Sequence, residues 1–231
     1  MRVEIWSDVV CPWCYVGKRR FETALAAFPH RDEVEVVWRS FELDAGAPAE
    51  RIGDYAQLLA DKYGFPVSQG QQMIDTMTQT AAAEGLDFRF DRARTGNTFD
   101  AHRLLHLAHE LGVQDAVKER LLLATFTEGE PVGDAETLVR LAAEAGLDAE
   151  EAREVLASDR YAAEVRADEA QARAYGISGV PFFVVDGKYG VNGAQPAEAL
   201  SQVLATAWAE AQPLVMAGGS APGCDGDACA V

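Results

Sequence analysis

Three features of the chain predict an α/β fold with a long helical insertion. Residues 3–6 and 34–41 are apolar, β-branched and aromatic runs on either side of one helical segment, the pattern of a strand–helix–strand unit. Residues 44–160 show helical periodicities punctuated by Gly and Pro, and no strand-like stretch interrupts them. Residues 180–185 and 189–192 are a second pair of apolar runs, joined at Asp186-Gly187, a strong hairpin signal, and followed by a last helix.

Taken in order, Val3-Glu4-Ile5-Trp6 is the first strand and residues 17–28 a helix with Phe21, Leu25 and Phe28 on one face. A strand–helix–strand unit of this length favours parallel pairing through a right-handed crossover. Helices follow at residues 54–63, 68–84, 97–111, 114–127, 135–145 and 149–156, with Ser68 suited to an N-cap. Asp148 and Glu151 have capping-box spacing. Residues 161–175 form a helix stopped by Gly176, and Pro196 opens a closing helix at residues 197–212, where its missing N–H costs nothing.

A chain of 231 residues can bury a substantial core, and 48% hydrophobic with 25% charged residues is ordinary for a globular protein. The formal charge of −17 argues against partners that demand basic patches, namely nucleic acid and anionic membrane. Lysine occurs only at Lys18, Lys62, Lys118 and Lys188, which reads as a compositional habit without mechanistic weight. No basic, apolar, cleavable leader precedes the first strand, and no apolar run approaches the ~18 residues of a membrane helix. A soluble, cytoplasmic protein is expected. Thiols in that compartment are kept reduced, so cysteine pairs there tend to be catalytic, sensing or metal-binding.

Four cysteines fall into two local pairs. Cys11-Pro12-Trp13-Cys14 sits where the first strand stops and a helix begins. That position sets the Cys11 sulfur beside unpaired N–H groups and the positive end of the helix dipole. The Cys11 pKa is therefore expected to fall from the roughly 8.5 of a free thiol into the window of about 3.5–7.5 typical of reactive Cys-x-x-Cys sites. Such a thiol attacks disulfides at neutral pH and leaves easily from mixed disulfides. Cys224 and Cys229 lie in a Gly/Ser/Pro-rich stretch read as a flexible tail. Two readings stand for them: an auxiliary pair exchanging electrons with Cys11/Cys14, or an inert pair held back by the adjacent Asp225 and Asp227. His102, His106 and His109 share a helical stripe at spacings of four and three, but no carboxylate or thiol completes a ligand set, and no metal is expected. Asp8, three residues before Cys11, either relays protons to Cys14 or, by preference, bonds the backbone of its own turn. Trp38, Phe41, Phe182 and Phe183 read as core, with Trp13 and Phe182 available to floor an apolar groove.

Val180-Pro181-Phe182-Phe183, read together with the Cys-Pro-Trp-Cys unit, is similar to the thioredoxin superfamily. With the inserted helical block, the chain resembles the DsbA group. The phrases Ser7-Asp8-Val9-Val10-Cys11-Pro12-Trp13-Cys14-Tyr15-Val16-Gly17, Asn97-Thr98-Phe99-Asp100-Ala101-His102-Arg103-Leu104 and Gly179-Val180-Pro181-Phe182-Phe183 resemble its FrnE-like branch, across most of the chain. The resemblance implies an α/β, DsbA-like thioredoxin fold. A discontinuous thioredoxin-like domain would cover residues 1–44 and 161–213, an all-helical domain residues 45–160, and the tail residues 214–231. It further implies a cis Val180–Pro181 bond whose loop binds substrate, with Asn97 and His102 facing the active site.

Cys11 would be the attacking thiolate, Cys14 the resolving thiol, and Pro12-Trp13 the dipeptide that tunes them. Trp13 stands where periplasmic DsbA proteins carry histidine, which implies a weaker oxidant. The activity implied is thiol–disulfide oxidoreductase or isomerase, on a disulfide-containing protein or a small-molecule thiol. No cofactor is needed beyond the cysteine pair and an external thiol such as glutathione. The same branch includes relatives of 2-hydroxychromene-2-carboxylate isomerase and kappa-class glutathione transferase, which typically carry serine at the position of Cys11. A glutathione-dependent isomerase or transferase of an aromatic or polyketide metabolite is thus one alternative. A redox-sensing adaptor without turnover is the other.

Overall fold

The computed structural model describes residues 1–51 and 53–211. Four strands, β1 (Arg2–Ser7), β2 (Glu35–Ser40), β3 (Phe182–Val185) and β4 (Tyr189–Asn192), form one mixed sheet in the order β2-β1-β3-β4. β1 and β2 pair in parallel through α1 (Pro12–Ala26), while β3 runs antiparallel to both β1 and β4. The β3–β4 turn has positive φ at Asp186 and Gly187 (53° and 66°), as a type I′ turn requires, and the Lys188 N–H closes it on the Val185 carbonyl at 3.1 Å.

Alternation along β1 sorts its residues between two layers. Val3 and Ile5 join Phe21, Phe183 and Leu200 between the sheet and the helices α1 and α9 (Ala197–Ala211). Trp6 faces the other way, packed with Ala172 of α8 (Ala162–Ala174) and with Ile177 and Val184. The helical block follows β2 as α2 (Tyr55–Tyr63), α3 (Val67–Ala83), α4 (Phe99–Glu110), α5 (Gln114–Leu123), α6 (Ala135–Glu144) and α7 (Ala149–Leu156). Leu104, Leu107, Leu121, Leu138 and Leu141 centre its core, which extends to Val9 just after β1. A third cluster, with Tyr15, Val16, Phe88, Leu122 and Phe126, fastens α1 to the block.

β2 is an edge strand whose outer side is occupied. The Gln114 side chain accepts the Trp38 N–H at 2.9 Å and donates to the Trp38 carbonyl at 2.9 Å, as a neighbouring strand would. This pair seats the first turn of α5 on the sheet, and one turn later brings Lys118 to the C-terminal end of β1.

Some elements differ from the sequence expectation. α1 begins at Pro12, five residues before residue 17, because proline at the first helical position is preset for the helix. Ser68 caps nothing: Pro66 is the N-cap residue of α3, and its carbonyl takes the N–H groups of Gln69 and Gly70. The helix expected at residues 114–127 changes to a π-helix over Ala124–Glu128, where the Phe126 carbonyl accepts the Arg89 N–H at 2.7 Å from outside the helix. Asp54, Asp134 and Asp148 cap α2, α6 and α7 through their carboxylates. Asp148 accepts the N–H groups of both Glu150 and Glu151, whereas the Glu151 carboxylate turns to Arg160, so the capping box is half formed. Asp148→Ala is expected to cost about 1 kcal/mol in urea unfolding.

Candidate active site

The site is assembled where β1 ends, α1 begins and the loop before β3 passes over them. Cys11 is the N-cap residue of α1 in extended backbone (φ −101°, ψ 110°), and its carbonyl accepts the Cys14 N–H at 3.0 Å. The Cys11 thiol points at the loop and donates to the Val180 carbonyl at 3.6 Å. The Val180–Pro181 bond is cis. Pro181 packs so tightly on α1 that a Cβ at Gly17 would lie 2.8 Å from its Cγ. Pro181 precedes β3 and so removes no hydrogen bond from the sheet ladder.

Both cysteines are free thiols. Cys11 is 4% exposed and borders a cavity of about 650 Å³, whereas Cys14 is wholly buried and absent from its lining. Pro12, Trp13 and Val180 share the cavity wall with Tyr55 of α2 and Met73 and Met77 of α3. Trp13, Tyr63 and Met73 stay exposed at its rim. Phe182 takes no part in the wall.

The electrostatics beneath the dithiol overturn the expectation that Cys11 is acidified. Sharing its proton with Cys14, and its burial, push the Cys11 thiol well above the ordinary range. Burial also opposes ionisation of Cys14. The Cys11 hydrogen bond and the Lys118 ammonium outweigh it and draw Cys14 down. The physical reason is a hydrogen-bonded pair of sulfurs in dry surroundings, which gives up its first proton readily and holds its second. The Val180 carbonyl favours the protonated form of Cys11, which works against the helix dipole.

Lys118 is the residue the sequence reading missed. It is fully buried, its Nζ donates to the Ser7 carbonyl at 3.4 Å, and it lies 5.5 Å from the centre of the Trp38 ring. Burial lowers it to about 8, although Cys14, Asp8 and Cys11 pull the other way. Among the described residues its Nζ makes no ion pair with a carboxylate, and its one hydrogen bond goes to the Ser7 carbonyl. A signal was present: Gln114, Lys118, Leu121 and Thr125 recur at helical spacing, so the lysine shares a face with buried residues.

Asp8 is sealed at the cavity floor, where its oxygens accept the N–H groups of Val9 and Leu43, each at 2.7 Å. Burial alone would raise it, and His102, the Leu43 N–H and Lys118 bring it below the usual carboxylate range. His102, expected at the substrate, lies behind this wall: it is 1% exposed, with Nε2 3.4 Å from Asp8 Oδ1. Asn97 is likewise structural. Its Oδ1 accepts the Phe99 N–H at the start of α4, and its Nδ2 faces the Ala45 and Ala47 carbonyls at 3.3 and 3.5 Å. Both residues stand outside the cavity wall because their polar atoms are turned toward Asp8 and the 45–47 backbone.

His106 turns to Asp168 and Ser40 (3.2 and 3.1 Å), so the histidine stripe diverges. Among the described residues no three His, Cys, Asp or Glu side chains converge as metal ligands, and no helix is long and apolar enough to cross a membrane. Cys224 and Cys229 lie outside the described residues.

Comparison with known proteins agrees with this fold. The family model for the DSBA-like thioredoxin domain matches residues 2–205. An uncharacterized Bacillus subtilis protein, YwbO, is 30% identical over 190 residues, covering 80% of this chain and 86% of its own length. The crystal structure of a probable DsbA oxidoreductase from Streptomyces coelicolor superposes with a TM-score of 0.87 at 54% identity, covering 100% of this chain and 99% of that one. The cytosolic disulfide reductase DsbM from Pseudomonas aeruginosa shares the fold, with a TM-score of 0.64 at 17% identity over 90% of this chain and 100% of that one.

Proposed function

The chain belongs to the DSBA-like thioredoxin domain family, and from that premise we propose that Cys11-Pro12-Trp13-Cys14 is a redox dithiol that catalyses thiol–disulfide exchange. The observation that carries this reading is the placement of Cys11. Of the two sulfurs it alone borders the cavity, and it sits at a helix start 3.6 Å from the Val180 carbonyl. A disulfide in the cavity meets Cys11 first. As the Cys11 sulfur attacks, its proton passes to the Cys14 thiolate, the Cys11–substrate S–S bond forms, and the departing half leaves as a thiolate. Cys14 then attacks Cys11, a Cys11–Cys14 disulfide forms, and the second substrate thiol is released with two electrons gained.

The backbone beside the cis bond serves this chemistry by fixing the substrate. The Val180 carbonyl is placed to take an N–H from the residue flanking the substrate sulfur, while Trp13 and Met73 cover its apolar parts. The external reductant is a low-molecular-weight thiol such as glutathione, working in the cytoplasm, with reductase or isomerase as the direction. No metal or organic cofactor enters the cycle.

Insulin reduction and refolding of a scrambled-disulfide protein test the proposal. Cys11→Ser is expected to abolish both reactions. Cys14→Ser is expected to stop reduction and leave a trapped mixed disulfide visible by mass. If Cys11→Ser keeps substantial activity toward a glutathione-dependent isomerisation and Cys14→Ala is silent, the protein is an isomerase or transferase. If wild type turns over neither disulfide substrate but binds a partner only when oxidised, it is an adaptor. Cys224→Ala, with all else intact, reads the tail pair: slower re-reduction of Cys11/Cys14 makes it auxiliary, and an unchanged rate makes it inert.

A further inference from the structure

Four buried side-chain polar atoms lack a hydrogen-bond partner among the described residues: Ser7 Oγ, Glu42 Oε1, and Nδ1 and Nε2 of His102. Protein interiors satisfy nearly all such atoms, so each exception asks for an explanation. These four are not scattered. Ser7 touches Cys14 at the end of β1. Asp8 follows it in the chain and lies 3.4 Å from His102 Nε2, a contact too poorly aligned to count as a hydrogen bond. Asp8 also holds the Leu43 N–H, which fixes Glu42 next in line. The Glu42 side chain is buried on one side and paired on the other with Arg166 of α8, whose side chain is 50% exposed. The orphaned atoms thus mark a line from beneath the dithiol to the half-exposed Arg166.

We propose that His102 is a positioning residue which, with Asp8 and Glu42, carries the proton leaving Cys14 out through the interior during the resolving step. This rests on the dithiol reading above. While a substrate is bound to Cys11 the cavity side is occupied, and Cys14 is wholly buried and borders no part of the cavity. In that mixed disulfide Cys14 has also lost the Cys11 hydrogen bond that helped its thiolate, so its proton must be taken away. The balance is simple. The Cys14 S–H bond breaks, the Cys14–Cys11 S–S bond forms, and the Cys11–substrate S–S bond breaks with its electron pair going to the substrate thiolate. The proton moves to the Asp8–His102 pair and then toward Glu42. Imidazole suits the middle position because each ring nitrogen both accepts and donates as the tautomer changes. The charged groups facing this line are Lys118 of α5, Arg166 and Glu169 of α8, and the two cysteines of the β1–α1 junction.

The test follows the two successive thiol releases from an aromatic chromogenic disulfide, dithiobis-nitrobenzoate, by stopped flow on the full chain. The first release reports attack by Cys11 and the second resolution by Cys14. In His102→Gln the ratio of second to first rate is expected to fall at least about tenfold near pH 6 and to recover near pH 9, where hydroxide replaces the route; a relay is worth less than the ~10²–10⁴ of a directly acting base. Glu42→Gln should show the same pattern more weakly, and decides the matter if His102→Gln does not fold. A ratio unchanged in both variants, or lowered equally at every pH as a packing defect would do, overturns the proposal. Failure of wild type to release a second thiol at all would instead overturn the dithiol reading.

Discussion

Replacing Lys118 by methionine is expected to slow exchange at neutral pH by about tenfold or more, the effect of removing the one opposite charge beside a buried thiolate. The same variant is expected to fold more stably. Lys118 is wholly buried and held down to about 8, while an unfolded lysine keeps its proton to roughly 10.4. Between those values the unfolded chain binds more protons than the folded one, so this residue's contribution to stability rises with pH across that window. Below about 8 its full cost is present, about 3 kcal/mol at 1.36 kcal/mol per pKa unit. Methionine has a similar length and no charge to desolvate. Urea unfolding should therefore place the variant above wild type at pH 7 and bring the two together toward pH 10. A variant that exchanges at the wild-type rate, or gains nothing at pH 7, would show that the ammonium is not what the thiolate leans on.

Gly133→Ala is expected to destabilise the protein by about 1–3 kcal/mol, as overpacking does where neither side can yield. A Cβ at Gly133 would stand 1.9 Å from the Ala49 carbonyl oxygen, and one at Gly96 would stand 2.0 Å from the same atom. The 45–51 segment is clamped between these glycines, with the Asn97 N–H on the Pro48 carbonyl at 2.8 Å and the Arg51 N–H on the Thr95 carbonyl at 2.7 Å. Leu43, Asp44 and Arg51 border the cavity, so a displaced segment should also raise KM for a disulfide substrate more than it lowers kcat. Gly46→Ala is the matched control. Its added Cβ would meet only the Asp44 carboxylate, at 3.5 Å, and should leave both stability and KM near wild type.

What was legible in the sequence is what is local. The Cys-Pro-Trp-Cys turn and the Asp186-Gly187 hairpin depend on a few neighbouring residues and both form, and Asp148 caps α7 with its capping box half made. What was not legible depends on partners far along the chain. Lys118 acquires its meaning only because Gln114 binds the edge of β2, 76 residues away, which turns one face of α5 toward Ser7. His102 and Asn97 stand in a phrase that resembles an active-site motif, yet one lies behind Asp8 and the other holds a loop. The protonation order of the two thiols escaped for the same reason. Helix position alone favours Cys11, whereas the proton shared between the two sulfurs, their burial by distant segments and the Lys118 ammonium shift the balance toward Cys14.

The helical block supplies the lysine and the loop before β3 supplies the carbonyl, while both sulfurs belong to the first fourteen residues. A growing polypeptide emerges N-terminus first. On the ribosome, then, Cys11 and Cys14 are ordinary thiols for more than a hundred residues of synthesis, with neither the cation nor the carbonyl yet made. Under the proposed mechanism, competence waits until Val180 has been made.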